Sequence, residues 1–141
     1  MAYKDVKAIF RTDFLTRITS IADANIFKDN TFATVKDNAV WCQLSVNTGE
    51  SANKTIVSGV GIRKVYPGLM TVKVFDPTGA GSTDIEVAIQ EIIEDYSNLN
   101  LAVGDTEGTT IKFRAAYETR VGRMGGQYQS NVNCPFSFDL T

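Results

Sequence analysis

The sequence predicts an α+β fold, with a single layer of mixed or mostly antiparallel sheet packed against two helices, a long inter-strand loop and a C-terminal hairpin. Two segments repeat their apolar residues at helical spacing, whereas several others alternate apolar and polar residues as half-buried strands do. No repeat, low-complexity tract or linker divides the chain, and its 141 residues fit one domain spanning 1–141. The helical segments are 3–22 and 83–99, and the main alternating segments are 38–47, 69–75, 109–117 and 127–140.

The composition is that of an ordinary globular protein and disfavours several functional classes. The net charge of −2 lacks the basic excess of a dedicated nucleic-acid binder. Histidine is absent, which removes the commonest general base and a favoured metal ligand, so we expect no enzyme, no cofactor and no metal. The charged N terminus, and the absence of an apolar run of about 20 residues, predict a soluble protein made in a cytoplasm. Cys42 and Cys134 are expected to be buried thiols.

The first predicted element is a helix over residues 3–22. Lys7 and Arg17 lie on or beside its apolar stripe, so they either extend outwards or meet a partner. Residues 23–37 lose this periodicity and predict a surface connector, with Phe27 and Phe32 packed against the core. The stripe consists of Tyr3, Val6, Phe10, Phe14, Ile18 and Ile21.

The segment 38–47 alternates strictly and predicts a half-buried strand with Val40, Cys42, Leu44 and Val46 inward. Trp41 falls on the outer face, where it either covers a neighbouring element or belongs to an interface.

Residues 48–61 are small, polar and glycine-rich, and predict a long loop between two strands. Its apolar residues Ile56, Val57 and Val60 are unexpected in a free loop, so we expect the loop to dock on another subunit. Extended structure resumes at 62–66, and Pro67 with Gly68 is expected to bend it before the next strand.

The segment 69–99 predicts a strand that turns through a glycine-rich corner into an amphipathic helix. Thr83 is the expected N-cap, and Glu86 three residues later is the return partner of a capping box. Residues 77–111 contain seven acids and no Lys or Arg. We therefore expect an acidic outer face on this helix, carried by Glu91, Glu94 and Asp95.

The C-terminal part predicts two strands, 109–117 and 127–140, joined by a turn region at 118–126. Pro135 within the last strand favours an edge position or a bulge. One side of the first strand is expected to carry Ile111, Phe113, Ala115 and Tyr117. A basic set lies on the other side of that strand and in the turn, namely Lys112, Arg114, Arg120 and Arg123.

None of these patterns forms a catalytic set. The corner at 79–83, with Gly79, Gly81 and Thr83, would suit a phosphate at a helix start, but it lacks the Lys of a P-loop and the third glycine of a dinucleotide site. The basic set would suit either nucleic acid or the acidic helix of an identical neighbour. Segregated acidic and basic surfaces favour head-to-tail association, whose closed form is a ring.

The order of elements resembles the tail terminator proteins of long-tailed bacteriophages. The likeness covers nearly the whole chain and is strongest over 40–93. It rests on a leading helix, a strand Val-Trp-Cys-Gln-Leu-Ser-Val at 40–46, a glycine-rich excursion, and the run Gly-Leu-Met-Thr-Val-Lys-Val-Phe-Asp-Pro-Thr-Gly-Ala-Gly at 68–81 that leads into a helix.

The resemblance implies a non-enzymatic assembly protein of the virion tail, assembled in the host cytoplasm. It would form a hexameric ring on the end of the tail tube, stop tube polymerisation and present the surface that joins the capsid neck. The implied partners are a second copy of the chain, the tail tube protein and a neck or head completion protein, with no membrane and with nucleic acid only near the channel. Head completion and nucleotide binding at the corner stay open as alternatives. The expected contact residues are Ile56, Val57, Val60, Lys112, Arg114, Arg120, Arg123, Glu91, Glu94, Asp95 and Trp41.

Overall fold

The computed structural model describes residues 3–28, 39–48, 52–57, 61–77, 83–102, 110–124 and 127–140. Within them the α+β prediction is confirmed, since two helices pack on one face of a single mixed sheet. The helices are α1 (Tyr3–Arg17) and α2 (Thr83–Tyr96). The strands are β1 (Ile26–Lys28), β2 (Trp41–Thr48), β3 (Ala52–Val57), β4 (Gly61–Asp76), β5 (Asn100–Ala102), β6 (Thr110–Phe113), β7 (Tyr117–Met124) and β8 (Gln127–Leu140).

The sheet is organised around the two long strands β4 and β8, which pair antiparallel with each other. Its order is β1-β2-β4-β8-β6-β5, with β3 also pairing with β4 and β7 also pairing with β8. Each long strand therefore has two successive partners on its far side: β2 and β3 along β4, and β7 and β6 along β8. The β1–β2 pair is parallel and the other described pairs are antiparallel.

Two prolines lie inside these long strands, at the points where the outer partner changes. The carbonyl of Pro135 accepts a hydrogen bond from the Arg114 amide at 2.9 Å, so the missing N–H of Pro135 faces the gap between β6 and β7. The prediction of an edge strand at Pro135 is wrong, because β8 has partners on both sides. The pairing is irregular at this point, since one extra residue passes between Phe113 and Tyr117 on the other strands, and this gap removes the need for a donor. Pro67 likewise lies where β4 passes from β3 to β2, and the strand continues through it.

The core lies between the helices and one face of the sheet. The four predicted inward residues of the segment 38–47 are buried, and the alternating residues of β4 and β8 around Val72 and Val132 are buried as well. Phe10 of α1 packs on Phe113 and Phe136 with ring centroids 5.4 and 4.8 Å away. The apolar stripe of α2 is also confirmed. Its fully buried members are Ile85, Ala88, Ile92 and Tyr96.

Gly68 is the position in β4 where the core needs the smallest residue. The Phe136 ring lies directly over its Cα, so a Cβ there would overlap Phe136 Cζ and lie only 2.7 Å from the carbonyl oxygen of Asn47. The expected bend is therefore wrong: Gly68 allows close approach of an aromatic ring within a continuous strand.

The end of α1 differs from the prediction for a physical reason. The helix ends at Arg17, five residues before the predicted end at Ala22. The amides of Thr19 and Ser20 donate to the Glu91 carboxylate of α2 at 3.0 and 2.9 Å, so they do not continue the helical ladder.

Three strands of the structure lie in segments for which the sequence predicts loops or a turn. The predicted connector contains β1, the predicted long loop contains β3, and the predicted turn 118–126 contains most of β7. β1 has three residues and is too short to show a period, while β7 lies at an edge of the described sheet, where no apolar alternation is imposed. The predicted strand 109–117 ends at Phe113. A C-terminal hairpin is present, but its first strand is β7, formed mostly by the predicted turn, in place of the segment 109–117.

Candidate interaction surfaces

The exposed side of α2 is acidic and has an apolar residue at its centre. Asp84, Val87, Gln90 and Glu94 are exposed at successive three- and four-residue spacings, and we call them the acidic α2 face. Val87 is 53% exposed, which is unusual for a large apolar side chain within a charged helix surface. Gln90 Nε2 donates to Glu94 Oε1 at 2.9 Å, which holds the Glu94 carboxylate on this face.

Glu91 is engaged within the chain. Its carboxylate accepts both amides that follow α1 and, at 2.9 Å, the hydroxyl of Thr19. Burial favours the protonated form, but the hydrogen bonds from Ser20 and Thr19 outweigh it, so the pKa of Glu91 lies below its ordinary value. Asp95 is half-buried. Of the three predicted acids, Glu94 is therefore the one that stands fully on the exposed face.

The second surface is the strand β7, at an edge of the described sheet. Tyr117 and Val121 are 53% and 42% exposed, and together with Val87 they are the exposed large apolar residues of the described chain. Arg120 and Arg123 are exposed between and beyond them. The side chain of Arg120 is 67% exposed, and its Nε lies 3.7 Å from Glu118 Oε2, which is a weak surface ion pair. We call Tyr117–Met124 the β7 edge.

The predicted basic set is divided between two faces of the sheet. Arg120 lies opposite Ser130 and Arg123 opposite Tyr128, which places both on the side that bears the helices. Lys112 lies opposite Ser137 on the other side. Arg114 is exposed beyond the end of β6.

A one-residue register shift between β6 and β7 decides which face of the sheet carries Tyr117. Phe113 lies opposite Phe136 and Tyr117 opposite Asn133, so four residues pass on one strand while three pass on the other. This shift transfers Tyr117 to the open face, and the prediction that it lies on the same side as Phe113 is wrong. The sequence signal was present in Ala115 and Ala116, whose small side chains interrupt the alternation of large residues.

Trp41 has its partners within the subunit. Its ring stacks on Phe75 at 4.1 Å and meets Phe27 edge-on at 5.9 Å, and its Nε1 donates to Gln127 Oε1 at 2.9 Å. Of the two interpretations left open, these contacts favour the one in which Trp41 covers neighbouring strands. Phe27 packs on this outer cluster, on the open face of the sheet, so the prediction that it packs against the core is wrong.

The remaining predicted residues are placed by backbone only, or lie outside the description. Ile56 and Val57 belong to β3 and lie opposite Ile62 and Gly61 of β4. Val60, Phe32 and the corner residues before Thr83 lie outside the described residues. α2 begins at Thr83.

A polar cluster that the sequence did not indicate joins the two helices. The hydroxyl of the fully buried Tyr96 donates to Asp13 Oδ2 at 2.7 Å, and Arg17 donates to both oxygens of the same carboxylate. The Arg17 guanidinium also lies 5.8 Å from the centre of the Tyr96 ring. Burial, followed by the hydrogen bond to Asp13, raises the pKa of Tyr96. Arg17 therefore meets a partner within its own chain.

The described residues contain no group of three or more His, Cys, Asp or Glu side chains able to hold a metal ion. No helix among them is long and apolar enough to cross a membrane. Cys42 and Cys134 are buried free thiols, as predicted.

Comparison with known proteins finds a solved structure with a similar fold. No family model and no curated protein matches the chain. Chains of solved structures do match, and one of them aligns over 95% of this chain and 94% of its own, with a TM-score of 0.60 and 20% identity. The two chains share their fold over nearly their whole length.

Proposed function

We propose that this protein is a structural assembly protein of a long-tailed bacteriophage, a tail terminator. It forms a ring, hexameric in the family it resembles, on the end of the tail tube, stops tube polymerisation and presents the joining surface for the capsid neck. Its partners are further copies of itself, the tail tube protein and a neck or head completion protein, and it acts in the virion tail after assembly in the host cytoplasm.

The observation that carries the proposal is the pairing of apolar exposure with opposite charge. Val87 lies within the acidic α2 face, and Val121 lies between Arg120 and Arg123 on the β7 edge. An exposed apolar centre with charges around it is typical of protein interfaces, because the centre contributes the burial and the charges select the partner.

The directions of these surfaces favour a ring. The acidic α2 face points away from the sheet, whereas the β7 edge lies at its side. Two different surfaces of one subunit that meet in a chain of copies form a heterologous contact, and such a contact gives a ring when the rotation between successive copies closes on itself. The resemblance of the sequence to tail terminators gives this ring its place on the tail tube.

The decisive experiment is reconstitution with purified tail tubes. Electron microscopy of tubes mixed with the protein should show one ring at a tube end, and tube subunits added later should not extend capped tubes. Uncapped, still growing tubes would overturn the proposal. Binding to tail-free capsids in place of tubes would favour a head completion protein instead.

Charge exchange tests the subunit contact itself. Reversal of Arg120 and Arg123 to Glu, or of Asp84 and Glu94 to Lys, should each abolish ring formation because like charges then face each other. The variant that carries all four reversals should form rings again, since the contact is complementary once more. Rings formed equally well by all three variants would contradict the proposed surfaces. Lys112→Glu, on the other face of the sheet, is the matched control and should leave rings intact.

A further inference from the structure

Among the described strands, β7 pairs with β8 alone, and the direction of its outer backbone groups follows from the pairing of β8. Because the carbonyl of Pro135 points towards the β6–β7 side and β8 pairs with β4 without a register shift, Asn133 and Asn131 also direct their backbone groups towards β7. The backbone N–H and C=O groups of their partners Tyr117 and Thr119 therefore point towards β8. Glu118, together with Arg120, directs its amide and carbonyl outwards.

We propose that two copies of the chain pair through their β7 edges, antiparallel, about a two-fold axis at Thr119. In this register Glu118 of each copy lies opposite Arg120 of the other. The backbone groups of both residues point away from β8, so each of these two pairs exchanges two backbone hydrogen bonds. The ladder of the sheet then continues into the second copy.

The residues of this register complement each other. The Glu118 carboxylate faces the Arg120 guanidinium of the second copy on the helix-bearing side. Tyr117 lies opposite Val121 of the second copy, so two exposed apolar residues of the described chain become cross-strand neighbours. Opposite charges and aromatic–β-branched pairs are favourable cross-strand neighbours.

Other registers lose one or both of these properties. An axis at Glu118 or at Arg120 places that charge opposite itself, which is destabilising. If the axis lies between two residues, a residue whose backbone groups point to the second copy lies opposite one whose backbone groups point to β8. The backbone hydrogen bonds between the copies are then lost. The irregularity between Arg120 and Gly122 ends the regular stretch, which confines the pairing to residues 117–121.

The two-fold pair itself does not depend on the proposed function, but its role in tail assembly rests on that function. It uses Arg120 and Val121, which the ring contact also needs, so one β7 edge cannot make both contacts at once. The pair is then the form of the subunit away from the tube, and ring formation requires its separation.

Disulfide trapping tests the axis. Thr119→Cys brings two thiols together in a non-hydrogen-bonded pair with Cα atoms about 4.5 Å apart, within the range of a disulfide. Mild oxidation should convert this variant to a covalent dimer. Val121→Cys is the matched control, because two copies of residue 121 lie four residues apart along the strands, about 13 Å, and should not be joined. The native thiols are buried and give no background.

Failure of Thr119→Cys to form a dimer, or equal crosslinking of both variants, would overturn the pairing. Tube capping by the protein without such a dimer would leave the proposed function standing alone, and a dimer without capping would leave the pairing standing alone. The two proposals can therefore fail separately.

Sedimentation equilibrium tests the charges. Arg120→Glu should weaken dimerisation about tenfold, since it sets Glu opposite Glu at two symmetric positions. The exchange of Glu118→Arg with Arg120→Glu should restore it. Loss of dimerisation in the exchanged variant, with an unchanged circular dichroism spectrum, would contradict the register. Arg120→Pro keeps the hydrogen bond that Ser130 donates to Glu118, so it should fold but remain monomeric, because the N–H that it removes points away from β8.

Discussion

Replacement of Gly68 by alanine places a methyl group in space that the Phe136 ring already occupies. The new Cβ would overlap Phe136 Cζ, lie 2.8 Å from Cε2 and lie 2.7 Å from the backbone oxygen of Asn47. The ring is fully buried against Phe10 and Phe113, so it has no free direction in which to turn. Because one of the obstructing atoms is backbone, we expect a loss near the upper end of the overpacking range, about 3 kcal/mol.

Urea denaturation followed by circular dichroism measures this loss, and a double-mutant cycle identifies its source. Phe136→Leu alone should destabilise the protein by about 1 to 2 kcal/mol through lost packing. In the double variant the smaller side chain leaves room for the methyl group, although the clash with Asn47 remains. The double variant should therefore be more stable than the sum of the two losses by about 1 kcal/mol or more. Strict additivity, or a Gly68→Ala effect below about 0.5 kcal/mol, would refute the proposed close approach.

Three further predictions concern the buried polar groups and thiols. Tyr96→Phe removes the donor to Asp13 and should lower the free energy of unfolding by about 2 kcal/mol in urea titrations, and an unchanged midpoint would contradict that role. Glu91→Gln should lower stability at pH 7 by about 1 kcal/mol. Because the folded-state pKa of Glu91 is lowered, its contribution is present above the ordinary pKa of 4.5 and lost as the pH falls through the folded value, so the two proteins should converge in acid denaturation curves. Burial raises the pKa of both cysteine thiols to about 12, so the native protein at pH 8 should react with a disulfide reagent no faster than it unfolds.

The elements that bury a face were predictable from the sequence. The alternation around Val72 and Val132 and the helical stripe through Ile85 and Ile92 each report a surface that must be covered, and all four side chains are fully buried. Burial on one side imposes a period on the sequence, which is the signal that the prediction uses.

The interaction surfaces were less predictable, because their positions depend on register and on side-chain partners. Glu91 and Glu94 look equivalent in the sequence, yet only Glu91 meets the two amides that follow α1. Arg120 and Lys112 lie on opposite faces because one extra residue passes between Phe113 and Tyr117. No local pattern reports such pairings, since each is set by residues distant in the chain.

The change of partners along β4 and β8 has a consequence for how the protein opens. The β4–β8 ladder runs from Asp76–Tyr128 to Lys64–Leu140, whereas β7 is held by only the first half of β8. The β7 strand can therefore leave the sheet while the central β4–β8 ladder stays in place. In hydrogen exchange, the amides of β7 should form a separate unit that opens at lower free energy than the global transition. An edge that detaches on its own can give up one partner and take another without the subunit unfolding.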